Sequence, residues 1–262
     1  MNEKEVNKLE ALSPTEQRVY SKLFSKRVIN TEDVKEILGD PHKSADYITN
    51  LREKGYLKKV RRGVYAVVPP NLVEGDFNPD KFLVAGKLKD DYYISYHSAL
   101  ELHGVAQSTY NTVWITTKKP ADSFNYKSIS YRFVFTKYYF GLRDINRKGV
   151  RVTVSDREKT FLDCVRRIKY SGGLEELIKS LHNFPDLNWE KLLDYLGKFE
   201  ENSLYQKTGF VLDNVDLKVP KQVTEKLQKE VGNKTYYLDR DRESSYLEKW
   251  NLMVPNNFEE LV

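Results

Sequence analysis

Hydrophobic residues between positions 13 and 54 recur at helical spacing in three short runs. The first run opens at Ser13-Pro14-Thr15-Glu16, which combines a Ser N-cap, a proline in the first turn and a Glu three residues after the cap. The second opens at Asn30 and stops at Gly39-Asp40-Pro41, and the third runs from about residue 43 to 54 and stops at Gly55. The pattern therefore predicts three consecutive short helices.

A predicted β-hairpin follows the third helix. Residues 56–60 and 64–68 are rich in β-branched and aromatic side chains, and they enclose a basic turn at Arg61-Arg62-Gly63. Three helices followed by a basic hairpin is the order of a winged helix-turn-helix, whose third helix enters a major groove of DNA. Residues 41–65 contain seven Lys or Arg and two Asp or Glu, a net charge of +5. This surplus favours phosphate contacts over the alternative, a solvated face on an ordinary three-helix domain.

The third helix and the wing supply the candidate DNA-binding residues. Helical spacing predicts that Ala45, Ile48 and Leu51 face inward, so that the opposite side faces DNA. The predicted DNA-binding residues are Lys43, Ser44, Tyr47, Asn50, Lys54, Lys59, Arg61 and Arg62. Asn50 has the amide that pairs bidentately with adenine, and Tyr47 either contacts DNA or packs under the wing.

An acidic segment after the hairpin predicts a domain boundary. Residues 71–80 contain three acidic residues and no Lys or Arg, and they follow Pro69-Pro70. We predict a winged helix-turn-helix domain over residues 1–70, a linker over 71–80 and a C-terminal domain over 81–262. In that larger domain, strand-like segments come first and helices follow, so the predicted fold class is α+β.

Several classes of function are disfavoured by composition. Cys164 is the single cysteine, which excludes an intrachain disulfide and a multi-cysteine zinc site. His97 and His103 match no standard zinc spacing, so we expect no metal and no other cofactor. Asp163 is predicted to pair with a buried Arg, and no catalytic constellation emerges, so we predict no enzyme. A polar N-terminus and the lack of a membrane-length apolar run predict a cytoplasmic protein without a membrane partner.

A second basic stretch lies in the predicted C-terminal domain. Residues 118–151 contain nine Lys or Arg and two Asp, interleaved with tyrosines, which suits a nucleic-acid backbone. The candidate residues are Lys118, Lys119, Lys127, Arg132, Lys137, Arg143, Arg147 and Lys148. The alternative is a sheet with solvated outward side chains over a core of Phe133, Phe135 and Phe140.

Four segments in consistent order resemble those of the AbiEi family of antitoxins. They are the wing ending in Arg61-Arg62-Gly63-Val64-Tyr65, the Tyr-Ile-Ser-Tyr-His-Ser-Ala-Leu-Glu-Leu-His-Gly stretch at 93–104, the Ser-Asp-Arg-Glu-Lys-Thr-Phe-Leu-Asp stretch at 155–163, and the Trp-Asn-Leu-Met-Val-Pro-Asn stretch at 250–256. One segment departs from the family: residues 203–212 keep a single cation, Lys207, where a basic run is common.

The resemblance implies two activities. The winged helix would bind double-stranded DNA at inverted repeats in its own promoter and repress transcription. The C-terminal domain would act as the antitoxin of a type IV toxin–antitoxin pair, opposing a nucleotidyltransferase-like toxin without forming a stable complex with it. Two alternatives stay open: a nuclease-like enzyme targeted by a winged helix, and a repressor whose second domain senses a small ligand.

Overall fold

A computed structural model describes residues 12–184 and 186–260 of the chain. The N-terminal elements are α1 (Pro14–Lys26), β1 (Val28–Asn30), α2 (Thr31–Leu38), α3 (Ser44–Glu53), β2 (Leu57–Arg61) and β3 (Val64–Val67). Strands β1, β3 and β2 form an antiparallel sheet in that order. This is the element order of a winged helix-turn-helix, as predicted. The three-residue β1 is too short for its alternation to show in the sequence.

The predicted starts of the first two helices are confirmed by their caps. The Ser13 hydroxyl accepts the Glu16 amide proton at 3.3 Å, and the Glu16 carboxylate accepts that of Ser13 at 2.7 Å. Asn30 and Asp33 make the same reciprocal pair at the start of α2, with distances of 2.9 and 2.8 Å. Helix α2 ends at Gly39, whose φ of 68° is the left-handed conformation that favours glycine. These local bonds satisfy backbone groups that a helix end leaves unpaired.

The rest of the chain mixes strands and helices, which confirms the α+β class. Its elements are α4 (Lys81–Ala85), β4 (Tyr92–Ile94), α5 (Tyr96–His103), β5 (Thr112–Thr117), β6 (Phe124–Tyr126), β7 (Ile129–Phe135), β8 (Leu142–Arg147), β9 (Val150–Ser155), α6 (Arg157–Arg166), α7 (Leu174–His182), α8 (Trp189–Phe199), α9 (Asn202–Asp213), α10 (Lys221–Lys229), β10 (Tyr236–Tyr237), β11 (Ser244–Leu247) and β12 (Leu252–Pro255). A six-stranded sheet has the order β6-β7-β5-β4-β9-β8, and β10-β12-β11 form a small separate sheet.

Two compact units divide the chain. Unit 1 comprises residues 1–92, 123–131 and 144–153, and unit 2 comprises residues 93–122, 132–143 and 154–262. Unit 1 therefore holds the winged helix-turn-helix together with the turns that join β6 to β7 and β8 to β9. Its core is built by Val19, Leu23, Ile48, Leu51 and Leu57 and their apolar neighbours.

The division differs from the predicted boundary because residues 71–80 are anchored within unit 1. Val73 packs against the N-terminal core, and the Lys58 ammonium donates to the Gly75 carbonyl at 2.9 Å. Asp76 pairs with Lys127 at 2.6 Å. Asp80 caps α4 and lies 3.0 Å from Arg147. The acidic residues that predicted a linker are thus partners of cations distant in sequence.

Unit 2 has its own larger core, to which α6, α7, α8 and α9 contribute buried apolar faces. Trp250 is fully buried against Gly209, where an added Cβ would lie 2.2 Å from the indole ring. Glycine is therefore required at that point of α9. The prediction that Phe135 lies in the core is wrong, because its side chain is 55% exposed. Phe140 does pack against the core.

Candidate nucleic-acid interface

The buried face of α3 is formed by Ser44, Ile48 and Leu51, at spacings of four and three residues. Ala45 is exposed, so the prediction that it faces inward is wrong. Ser44 is 3% exposed and donates its hydroxyl proton to the Pro41 carbonyl at 2.7 Å, which removes it from the predicted DNA-facing side. Ser44 therefore takes the place predicted for Ala45 on the buried face, because its hydroxyl is hydrogen-bonded within its own turn.

The exposed residues of α3 are consequently Ala45, Asp46, Thr49, Asn50, Arg52 and Glu53. Asn50 is exposed as predicted, and its amide makes no hydrogen bond within the described chain. Tyr47 is half-buried and packs against the N-terminal core. A methyl, a hydroxyl and an amide thus lie outward on one helix, and these are the groups that read base edges in a major groove.

The wing is the β2–β3 hairpin, residues 57–67, with its turn at Arg62 and Gly63. Gly63 has a φ of 77°, and its carbonyl accepts the Thr31 amide proton at 3.0 Å. That bond ties the wing turn to the first residue of α2. The wing and the helix-turn-helix are therefore held together as one rigid binding surface.

A groove of about 510 Å³ lies between the C-terminal half of α3 and β2. It is lined by Thr49, Arg52, Glu53, Leu57, Lys58, Lys59 and Tyr126. Tyr126 comes from β6, more than 60 residues further along the chain. The neighbouring Phe124 lies under Arg61, with the guanidinium carbon 4.9 Å from the ring centroid. Strand β6 therefore adds an aromatic edge to the winged helix.

Three of the predicted DNA-binding cations already have partners inside unit 1. Lys43 lies 3.3 Å from Asp40, and Lys54 contacts both carboxylate oxygens of Glu16 at 2.8 and 2.9 Å. Arg61 lies over the Phe124 ring. Burial raises the pKa of the Glu16 carboxyl, but the hydrogen bonds from Lys54 and the Ser13 amide lower it by more. The pKa of Glu16 therefore lies below its ordinary value. Lys54 thus anchors α3 to the start of α1.

The remaining cations of this surface are unpaired. Lys59 and Arg62 are exposed, as predicted, and so is Arg52. Among residues 12–184 and 186–260, none of these three has an anionic partner within 4 Å. Arg52 contributes to the net charge of residues 41–65 but is not among the predicted DNA-binding residues. With Ser44 rather than Ala45 on the buried face, helical spacing places Thr49 on the outer face.

The second basic stretch is divided between the two units. Lys127, Arg147 and Lys148 belong to unit 1, whereas Lys118, Lys119, Arg132, Lys137 and Arg143 belong to unit 2. The three cations of unit 1 neutralise Asp76 and Asp80. In unit 2, Lys118 lies over the Tyr139 ring at 4.3 Å, and Lys137 over the Tyr138 ring at 5.0 Å. Much of the predicted charge is thus used within each unit.

The titratable residues that the sequence of unit 2 singles out are buried or hydrogen-bonded within the described chain. Asp163 pairs with the buried Lys159, so the predicted Arg partner is wrong. His97 lies 3.1 Å from Glu176, and His103 donates to the Ser155 carbonyl at 2.9 Å. Burial holds the pKa of the Cys164 thiol well above its ordinary value. No cluster of three His, Cys, Asp or Glu suited to a metal occurs in the described part of the chain.

Over the same residues, the structure contains no helix with both the length and the apolar character needed to cross a bilayer.

Comparison with known proteins gives a family match for the winged helix. Residues 18–68 match the sequence model of a family described as "Transcriptional regulator, AbiEi antitoxin". The crystal structure of the RV2827C protein from Mycobacterium tuberculosis is similar to 93% of this chain and 92% of that chain, with a TM-score of 0.64 and 18% sequence identity. At this identity the similarity concerns the fold alone. No curated protein matches the chain.

Proposed function

We propose that the chain is a DNA-binding autorepressor and the antitoxin of a type IV pair, because residues 18–68 match the family model of AbiEi antitoxin regulators. In this proposal the winged helix binds inverted repeats in the chain's own promoter. Unit 2 opposes a nucleotidyltransferase-like toxin without a stable complex. The observation that carries the DNA-binding part is the exposed Thr49 and Asn50 beside the unpaired Arg52, Lys59 and Arg62.

In this mechanism α3 enters the major groove and the wing follows the backbone. Asn50 pairs with an adenine through its amide, while the Ala45 and Thr49 methyl groups suit a thymine methyl. Arg52, Lys59 and Arg62 neutralise phosphates, and each phosphate contact releases condensed counterions. Because Lys54 and Glu16 fix α3, little ordering entropy is lost on binding.

The DNA-binding part is tested by competition between a promoter fragment and unrelated DNA of equal length. The site variant is Arg52→Gln/Lys59→Gln/Arg62→Gln. Its matched control is Lys218→Gln/Lys226→Gln/Lys229→Gln, which removes the same charge from exposed positions of unit 2. Loss of three phosphate contacts should flatten the slope of log affinity against log salt by about 3 units. An equal change in the control variant would contradict the interface.

The antitoxin part is tested in cells that co-express the full chain with a nucleotidyltransferase-like toxin from the same genome. We expect the wild-type chain to restore growth, and the Arg52→Gln/Lys59→Gln/Arg62→Gln variant to do so equally when expressed from an unrelated promoter. Loss of rescue at equal protein level would contradict the assignment of antitoxicity to unit 2. Affinity purification should recover no stable complex with the toxin.

A further inference from the structure

A cavity of about 850 Å³ in unit 2 is separate from the winged helix. Its walls come from the end of α6 and the 3-10 helix Ile168–Ser171, from Gly172-Gly173, from α9, and from β10 with the turn after it. The side chains that define its chemistry are Arg166, Arg167, Lys169, Lys207, Arg240, Asp239, Asp241, Tyr170, Tyr236 and Tyr237. Cations and tyrosines thus dominate the lining of one open cavity.

The cavity is lined by more cationic side chains than the neighbouring acidic side chains neutralise. Arg166 is committed to Glu201, with two N–O distances of 2.7 Å. Asp239 lies 3.6 Å from Arg242. The remaining charged side chains are four cations and one acid: Arg167, Lys169, Lys207, Arg240 and Asp241. An anion with several negative charges fits this balance.

Lys207 is the central feature of the cavity wall. Its ammonium makes one long hydrogen bond, 3.4 Å to the Leu238 carbonyl, and no salt bridge within the described residues. Burial and the positive charge of Arg240 lower the pKa of this ammonium, although the charges of Asp239 and Glu201 oppose them. A half-buried cation with so few partners is costly unless an anion joins it.

The aromatic side chains give the cavity a second property. Tyr237 is 43% exposed although it lines the cavity. Tyr170 is held in place by stacking on Trp114, with ring centroids 4.2 Å apart, and its hydroxyl accepts a hydrogen bond from Arg167 at 3.4 Å. Aromatic faces beside cations bind nucleobases and their phosphates together.

We propose that this cavity binds a nucleoside phosphate. Arg167, Lys207 and Arg240 hold the phosphates, and the base stacks on Tyr237. The ligand is either a free nucleotide or the terminal nucleotide of a strand, since both present a base and a charged phosphate. The proposal does not depend on promoter binding, because every residue that it uses lies in unit 2.

Calorimetric titration of the full chain tests the proposal. The probes are the four ribonucleoside triphosphates, inorganic triphosphate and uridine. We expect at least one nucleotide to bind with one-to-one stoichiometry, and uridine to bind far more weakly. Lys207→Gln and Arg240→Gln should each weaken nucleotide binding by about tenfold, the usual scale for a lost charge-assisted hydrogen bond. Lys226→Gln, on α10 and outside the cavity wall, should change nothing.

The Tyr237→Leu variant distinguishes binding of the base from binding of the phosphates. It should weaken nucleotide binding and leave inorganic triphosphate unaffected. A trinucleotide ending in the preferred nucleotide distinguishes the two sources: tighter binding than the mononucleotide indicates a strand end, and weaker binding indicates a free nucleotide. Absence of nucleotide binding, or equal binding by wild type, Lys207→Gln and Arg240→Gln, would overturn the proposal. Promoter binding of the same variants, measured in parallel, keeps that result distinct from a failure of DNA recognition.

Discussion

Two charged regions of this chain use their side chains in opposite ways. On α3 and the wing, Asn50, Arg52, Lys59 and Arg62 point into solvent without partners in the described structure. In residues 155–163, which we call the capped segment, the buried polar side chains bond within unit 2. The first region thus leaves polar and cationic groups in solvent, whereas the second is mostly buried and paired.

The buried polar side chains of the capped segment form hydrogen bonds and an ion pair within unit 2. Asp156 caps α6 and accepts the Tyr195 hydroxyl proton at 2.9 Å. Glu158 accepts the Asn188 amide proton at 2.9 Å. Lys159, fully buried, pairs with Asp163 and donates to the Tyr93 hydroxyl at 3.2 Å. These bonds engage the buried polar side chains of the segment, whereas Arg157 at the start of α6 is exposed.

This difference shows that a charged motif indicates binding to another molecule only when its side chains have no partners within the protein. Buried polar groups must be paired because desolvation is costly, so a fully paired motif is explained by stability. Exposed unpaired cations gain nothing from the fold, since surface charges contribute little to stability. The wing and α3 are therefore the better candidates for binding, and the capped segment for structure.

The largest effect is expected from breaking the buried pair of the capped segment. Lys159→Met leaves Asp163 uncompensated in the core of unit 2 and should destabilise the protein by about 3–5 kcal/mol. Lys159→Met/Asp163→Leu removes both charges and should recover most of that loss. Urea denaturation at neutral pH measures both variants. A loss below about 1 kcal/mol in the single variant would contradict a structural role.

A smaller and more specific effect is expected at Asn50. Asn50→Ala should cost about 1–3 kcal/mol in binding to the promoter and much less on random DNA, because one bidentate base contact is lost. Asn233→Ala, an exposed asparagine of unit 2, is the matched control. Competition binding on both DNAs at one fixed salt concentration gives the two losses. Equal losses would mean that Asn50 positions the backbone rather than reads a base.

Substitutions of the two wing arginines should change the salt dependence of DNA binding by different amounts. Arg62 is exposed, whereas Arg61 lies over Phe124. Arg62→Gln should flatten the slope of log affinity against log salt by about one unit, the value for one phosphate contact. Arg61→Gln should flatten it less, because its guanidinium is held against the ring. A salt series on promoter DNA measures both, and identical slopes for the two variants would remove the distinction.

Local patterns predicted much of the N-terminal fold, and they failed where distant residues decide. Caps and spacing fixed the starts of α1 and α2 because the groups involved lie three residues apart. On α3, Ile48 and Leu51 are buried as predicted, but Ser44 takes the place of Ala45 because its hydroxyl is satisfied within its own turn. No local signal places Phe124 under Arg61, or Asp80 beside Arg147, since these pairs are more than 60 residues apart. Contacts of that range come from the tertiary fold.

The smallest effect concerns the pH dependence of stability that comes from His103, which is hydrogen-bonded to the first residue of the capped segment. Burial lowers the pKa of His103, and Arg143 and Arg157 lower it further, although its bond to the Ser155 carbonyl opposes them. The folded state therefore binds fewer protons than the unfolded state once the pH falls below about 6.5, the ordinary value for histidine. The contribution of neutral His103 is complete above that pH and is lost as the pH falls toward the lowered folded value. One proton limits the loss to about 1.4 kcal/mol per pH unit. His103→Gln should lack this contribution, so the difference in urea stability between wild type and variant should shrink on acidification from about pH 7.5 to 5.5. A difference that stays constant or grows would show that His103 does not titrate between those limits.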